Sequence, residues 1–325
     1  MNTIVLISDD NYVLPTMVMI KSIIDNYDNQ KELRVCVVSW KLSNENIRKF
    51  NLLSGNNVEV KTILVDPEKY GSRMKKINQN THVTPTALLK FEIADILKCE
   101  DVALYLDGDM VCKRDLSHLF EMDLEENYVA ASFEFLKYVA CRYSLKEGER
   151  IPFYFNSGVM LLNLKKMRQN HISEELWDAK LKSHNIDSHG KGGLMDQDVF
   201  NEVFDGKVKH LPITYNCNCN FVNYTDLKAI NNIYMTSFKT PMELESAVSI
   251  IHYVGKTDKP WKYKNVACQE YWDMYYKKLG MNVEDLNRVT TKKDMNYYIG
   301  KIKDSINSRG IIDTMRYYTD KFTRH

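Results

Sequence analysis

Short apolar runs alternate along this chain with longer stretches whose apolar residues recur at helical spacing. Ile4 to Ile7 is a fully apolar run of the kind a buried parallel strand requires. The polar stretch Ser8-Asp9-Asp10-Asn11-Tyr12 follows, and then Leu14, Met17, Val18, Lys21 and Ile24 predict a helix. Leu33 to Ser39 repeats the strand pattern, and Ser43 caps a second helix running to Leu53. Val58 to Val65 reads as a strand ending at Asp66-Pro67, and Thr86 to Leu97 as a helix with Leu88, Leu89, Ile93, Ile96 and Leu97 on one face. Val102 to Leu106 predicts another buried strand, closed by Asp107-Gly108-Asp109. Further on, Tyr128 to Phe133, Gly158 to Asn163 and Ser249 to Tyr253 read as strands. Ile172 to Leu181 and Met195 to Phe204 read as helices, the latter after the glycine-rich loop Gly190 to Gly193. Alternating strands and helices predict an α/β fold with a mainly parallel sheet flanked by helices. From about Ala267 the pattern changes to aromatic-rich helices with basic residues, and no internal repeat is visible.

Composition narrows the function classes. The 325 residues are 44% hydrophobic and 27% charged, which excludes a disordered chain, a collagen-like repeat and a coiled-coil rod. Lys and Arg number 44 against 43 Asp and Glu, so the chain lacks the basic excess of a dedicated nucleic-acid binder. Met1 to Ser8 has no basic n-region or apolar h-region, so no secretory leader is expected. Apolar runs such as Val102 to Leu106 are too short to cross a bilayer. Seven scattered cysteines include a C-x-C at Cys217 and Cys219, a weak zinc spacing; reduced thiols in a cytoplasmic protein are the simpler reading.

Two polar clusters follow directly on buried strands, where ligands of open α/β sheets sit: Asp9-Asp10-Asn11-Tyr12 and Asp107-Gly108-Asp109. Asp and Asn also supply caps and turns there. The second cluster is the sharper one. Two carboxylates this close repel unless a cation or proton lies between them, and Mg²⁺ or Mn²⁺ commonly bridges such acids to phosphates. The intervening glycine reads as a place where a ligand approaches. Later come Phe155-Asn156-Ser157-Gly158-Val159, then Asp196-Gln197-Asp198, and then His252-Tyr253-Val254-Gly255 with Lys259-Pro260-Trp261.

In this order the five motifs resemble those of the family 8 glycosyltransferases, most closely the bacterial lipopolysaccharide galactosyltransferases and related capsule or cell-wall enzymes. The resemblance covers roughly residues 2 to 265. It implies a GT-A fold and a retaining, metal-dependent transfer of galactose or glucose from a UDP-sugar to a hydroxyl of a glycan. Ile7, Asp9, Asn11, Tyr12, Gly108, Gly255 and Lys259 would then hold UDP, and Asp107, Asp109 and His252 would ligate Mn²⁺ or Mg²⁺. Asn156, Asp196, Gln197 and Glu134 would surround the donor sugar or acceptor, with Gln197, Asp196 and Lys90 closest to the chemistry. The resemblance also implies a catalytic domain over residues 1–265 and a helical, basic extension over 266–325.

Two departures stand out. Where many family members carry Arg before the D-x-D, this chain has Lys90, which keeps the charge but loses the bidentate fork. Three residues, Lys256-Thr257-Asp258, separate Gly255 from Lys259, one more than in close relatives, so Lys256 could share the phosphate role. A metal-dependent phosphohydrolase and a non-catalytic nucleotide-sugar-binding subunit stay open as alternatives. The region from Leu136 to Pro152, with Tyr138, Arg142, Tyr143 and Arg150, is a candidate acceptor loop. From Arg288 to His325, nine basic residues stand against four acidic ones, with apolar residues at helical spacing. Such an arm can lie on an anionic membrane or pack on the protein, and the first option suits a lipid-linked acceptor at the cytoplasmic face of a membrane.

Overall fold

The computed structural model describes residues 1–28, 31–55, 57–66, 85–134, 154–186, 196–223 and 227–290. The glycine-rich loop, the candidate acceptor loop and the basic arm from residue 291 onward lie outside them. The chain divides into two compact units. One comprises Met1–Ser132 and Phe155–Leu211, the other Phe133–Tyr154 and Pro212–His325.

The first unit is built on a seven-stranded sheet. Its strands are β1 (Asn2–Ile7), β2 (Leu33–Ser39), β3 (Val58–Leu64), β4 (Val102–Leu106), β6 (Val129–Phe133), β7 (Phe155–Asn163) and β8 (Val208–His210), in the order β3-β2-β1-β4-β7-β6-β8. A short strand β5 (Met110–Cys112) follows β4. β1 runs parallel to β2 and to β4, with Ile4 opposite Val35 and Leu104, and every residue of β1 is buried. This explains its uninterrupted apolar run: a central parallel strand is covered on both faces. β3 lies at the edge of the sheet, and its sequence alternates, with Val58 and Val60 buried and Glu59 and Lys61 exposed. β7 is antiparallel to β4, so the parallel run β3-β2-β1-β4 ends beside the D-x-D strand.

The helices of this unit are α1 (Val13–Asn26), α2 (Asn44–Asn51), α3 (Ile93–Ile96), α4 (Leu164–Gln169), α5 (Ile172–Ile186) and α6 (Asp196–Val203). Ser43 caps α2 as expected, its hydroxyl accepting from the Asn46 N–H at 3.3 Å. The expected helix over 86–97 is instead a 3₁₀ segment, Pro85–Glu92, that passes into the single α-turn of α3. The reason is burial on all sides. Leu88, Leu89, Lys90, Phe91, Glu92, Ile93 and Ala94 are all buried, so no solvent face imposes a 3.6-residue period. The two charges in this run have their own partners. Glu92 accepts from the Trp177 indole N–H, and Lys90 belongs to the site below.

β7 also begins three residues earlier than the expected Gly158 start, so Phe155, Asn156 and Ser157 are strand residues. Asn201 on α6 explains this: its side chain accepts from the Phe155 N–H at 2.8 Å and donates to the Phe155 carbonyl at 2.9 Å, as a neighbouring strand would.

In the second unit β9 (Cys217–Asn218) and β10 (Ile250–His252) pair in parallel, with Asn218 opposite His252. Its helices among the described residues are α7 (Leu227–Tyr234), α8 (Pro241–Ala247) and α9 (Gln269–Lys278). Trp261, Trp272 and Tyr276 form a row with ring centroids 6.0 and 5.0 Å apart. The Arg288 guanidinium lies over Trp272 and grips Asp273 with two nitrogens. The six described cysteines are all free thiols.

Candidate active site

In the first unit the functional side chains gather beyond the carboxyl ends of β1 and β4. Asp9 shapes the loop after β1: its Oδ1 accepts from the N–H groups of Asn11 at 2.9 Å and Tyr12 at 3.1 Å. Asp10 turns away to α2, accepting from the Ser43 N–H and the Asn46 amide, and these hydrogen bonds hold its pKa below the ordinary value. Tyr12 is thereby set so that its hydroxyl reaches Asp109 Oδ2 at 3.3 Å. Burial raises the Tyr12 pKa strongly, and the charges of Asp109 and Asp107 add to it, so the phenol stays protonated and acts as a donor. Ile7, the last residue of β1, is buried beneath this loop.

Gly108 is required by packing. A Cβ on it would stand 2.6 Å from Thr16 Oγ1 and 3.5 Å from the Tyr12 ring. The space that the sequence suggested for a ligand is occupied by Thr16 of α1, whose hydroxyl donates to the Tyr12 carbonyl at 2.7 Å. The glycine lets β4 and the start of α1 approach each other, which fixes where Asp107 and Asp109 project.

Lys90 is the hub. Its Nζ lies 2.8 Å from Asp196 Oδ2, 3.1 Å from Asp107 Oδ1 and 5.0 Å from the Tyr105 ring centroid, and the residue is only 6% exposed. Burial alone would depress the lysine pKa, but the Asp107 and Asp196 carboxylates outweigh it and hold the pKa well above its ordinary value. The ammonium is therefore permanently charged. The Tyr105 hydroxyl also donates to Asp107 Oδ1. Asp196 begins α6, and the next residue, Gln197, presents Oε1 to the Ser157 N–H at 3.2 Å. Asn156 turns its Oδ1 to the Gly158 N–H at 2.9 Å.

The unit thus brings Lys90, Asp107 and Asp196 into one contact network and Tyr12 and Asp109 into a second pair, with Asn156 and Gln197 meeting at the Asn156–Gly158 segment of β7. Two carboxylates, Asp107 and Asp196, face one ammonium, and Asp109 adds a third at the Tyr12 hydroxyl, leaving a negative excess of hard oxygen donors that fits a divalent cation. Two further residues were missed at the sequence level. Asn201 recurs one helical turn after Gln197 and donates to its carbonyl at 2.8 Å. Lys180 of α5 is 2% exposed; burial lowers its pKa, against the pull of Asp196 and Asp198. Its only sequence signal was a lysine among the apolar positions of that helix.

The second unit carries His252, Gly255, Lys259 and Glu134. His252 is buried at the end of β10, and its Nδ1 lies 2.9 Å from Asn216 Oδ1. An amide oxygen at that distance can accept from Nδ1–H and so orient the ring. Gly255 has φ +106°, a backbone conformation that glycine adopts without strain. The Lys259 Nζ donates to the Tyr253 carbonyl at 2.6 Å and lies over Trp261. Trp261 in turn rests on Trp272, and Lys262 and Lys264 exchange backbone hydrogen bonds with Val289. Residues beyond 265 therefore support the K-P-W segment. Glu134 follows β6, its N–H donating to the Tyr154 carbonyl at 2.8 Å.

Comparison with known proteins gives concordant results. The sequence model of Glycosyl transferase family 8 matches residues 3–265. The lipopolysaccharide 1,2-glucosyltransferase of Escherichia coli is 29% identical over 280 residues, covering 82% of this chain and 76% of that protein. Glycosyltransferase GlyE of Streptococcus pneumoniae is 32% identical over 215 residues, 65% of this chain and 47% of GlyE, so the chain spans about half the length of that relative. The solved structure of galactosyltransferase LgtC, in complex with donor and acceptor sugar analogs, matches with a TM-score of 0.65 at 24% identity. It covers 90% of this chain and 98% of that one. The apo bifunctional glycosyltransferase WbbM matches with a TM-score of 0.64 at 24% identity, covering 85% and 49%. At these identities the solved structures speak for the fold, which is the GT-A fold.

Proposed function

Because the chain belongs to glycosyl transferase family 8, and is thus a glycosyltransferase, we propose that it moves galactose or glucose from a UDP-sugar to a hydroxyl of a cell-surface glycan. Retention of anomeric configuration and dependence on Mn²⁺ or Mg²⁺ are part of the proposal. The observation that carries it is Lys90, buried between Asp107 and Asp196 at a strand end that also presents Asp109. A permanently charged lysine held by two acids is suited to a reaction whose cost lies in expelling a diphosphate. A glucosyltransferase relative and a galactosyltransferase fold neighbour support the hexose donor.

In this reading Asp107, Asp109 and His252 would hold the cation, which would supply Lewis-acid stabilisation of the departing diphosphate. Ile7, Asp9, Asn11, Tyr12 and Gly108 form the uridine side of the donor site, and Gly255 and Lys259 meet the phosphates. Lys90 adds a preorganised positive charge, and one such interaction is worth ~10²–10³ in rate. Asp196 offers its carboxylate to sugar hydroxyls, beside Asn156 and Glu134. Gln197 is a poor nucleophile, and its amide oxygen already accepts from the Ser157 N–H. We therefore favour attack from the leaving-group face over a covalent intermediate of the glycosidase kind. A phosphate oxygen of the leaving UDP takes the acceptor proton. No structural observation favours the phosphohydrolase or the non-catalytic subunit.

A lipid-linked acceptor, reached at the cytoplasmic face of a membrane through the basic arm, completes the proposal. No helix among the described residues is long and apolar enough to cross a membrane. The test is a donor screen with Mn²⁺, reading UDP release from UDP-galactose, UDP-glucose and their N-acetyl analogues. The expected result is turnover of a plain hexose donor that stops in excess EDTA. Clear preference for an N-acetylhexosamine, or full turnover in EDTA, would overturn it.

A further inference from the structure

The segment from Gly255 to Lys259 contains an acid that a loop meeting an anion would be expected to avoid. Asp258 stands directly before Lys259, where its charge opposes a diphosphate. Its geometry gives it a different task. Asp258 Oδ2 accepts from Asn220 Nδ2 at 3.0 Å. The same oxygen lies 2.8 Å from the point where a Cβ on residue 255 would stand, so the carboxylate sits against the open face of Gly255. Gly255 has φ +106°, and Gly255, Lys256 and Thr257 are exposed, while Asp258 reaches back to Asn220.

Asn220 is itself fixed. Its backbone N–H donates to Asn218 Oδ1 at 2.9 Å, and its Nδ2 lies 3.2 Å from the same oxygen. Asn218 is the β9 residue opposite His252 of β10. The row Asn218–Asn220–Asp258 therefore ties the tip of an exposed turn to the strand pair that carries His252. We propose that Asp258 is a positioning residue: held by Asn220, its carboxylate braces the turn over Gly255 and sets the Gly255 backbone and Lys259 in register for the diphosphate of the donor. A carboxylate suits this place because it accepts from Asn220 without offering a donor that would compete for phosphate oxygens.

The proposal rests on the reading of this segment as the one that meets the phosphates, and the experiment separates the two. Asp258→Ala, Asn220→Ala, the double variant, Asp258→Asn and Lys259→Ala are compared by calorimetric titration with UDP in Mn²⁺ and with uridine. Asp258→Ala and Asn220→Ala should each raise the Kd for UDP about tenfold, the size of one lost charge-assisted hydrogen bond. The Kd for uridine should stay unchanged, because the nucleoside lacks the phosphates. The double variant should be no worse than either single one, since both remove the same contact. Asp258→Asn, which keeps an accepting oxygen in place, should restore affinity to within threefold. If Lys259→Ala leaves UDP affinity unchanged, the diphosphate reading falls and the positioning role falls with it. If Lys259→Ala weakens UDP binding but Asp258→Ala does not, or weakens uridine equally, the positioning role alone is overturned.

Discussion

Lys90 joins stability and chemistry in one side chain. Its ammonium is buried against Asp107 and Asp196, and removing one partner from a buried ion cluster leaves a charge uncompensated. Lys90→Met keeps the length and apolar stem but leaves the two carboxylates facing each other. We expect it to lower unfolding free energy by ~3–5 kcal/mol in urea titrations, and turnover by ~10²–10³, while uridine affinity changes little. Lys90→Arg keeps the charge but must fit a larger planar head where the lysine is 6% exposed, so it should fall between the two. Turnover of Lys90→Met within twofold of the parent would mean that the ammonium is a structural counter-ion only. Gly108 teaches a related lesson at the same scale. A D-x-D glycine suggests room for a ligand, yet here the nearest atoms to its missing side chain belong to Thr16 and Tyr12.

At the scale of elements, the link between α6 and β7 does the positioning. Asn201 bonds both backbone groups of Phe155 and the carbonyl of Gln197, so it sets the height of α6 along the strand and with it Asp196 and Gln197. Asn201→Ala should leave the Phe155 groups without these partners and cost ~1–3 kcal/mol in denaturant titrations. Turnover should fall more than donor affinity, because the proposed function puts the residues displaced at the sugar rather than the uridine. Unchanged stability and turnover would show that β7 holds its start without α6. The parallel strands were legible from sequence because β1, β2 and β4 are buried on both faces and carry short apolar runs of β-branched and leucine residues. The Pro85–Glu92 segment was misread as α-helix because its apolar spacing fits a helix face, while the burial of Lys90 and Glu92 depends on partners far along the chain, Asp196 and Trp177. The D-D-N-Y and D-x-D acids were found by their place after buried strands. Asn201 and Lys180 were not, since their partners become visible only once α5, α6 and β7 are assembled.

For the whole molecule the open question is what the residues beyond the family match at 265 contribute, and two cut points separate the answers. Between 266 and 290 the chain is structural. Trp272 packs on Trp261, Arg288 clamps Asp273 over the Trp272 ring, and Val289 exchanges two backbone hydrogen bonds with Lys262 and Lys264. A chain ending at 265 loses all of these supports of the K-P-W segment, and we expect it to be insoluble or to melt far below the full protein. Residues 291–325 differ in composition. They hold eight basic residues against four acidic ones, while the whole chain is at +1, and Ile311, Met315, Tyr318 and Phe322 recur at helical spacing. At ~1 kcal/mol per basic residue near an anionic surface, this excess could supply a few kcal/mol of membrane attraction. A chain ending at 290 should therefore keep its melting temperature and its release of UDP in the donor screen, but sediment less with vesicles rich in anionic lipid. The difference should shrink as salt rises, because the attraction is screened. If the chain ending at 290 binds vesicles as well as the full protein, the arm is not the membrane contact; if it loses its fold, the arm packs on the enzyme and its charge serves another purpose.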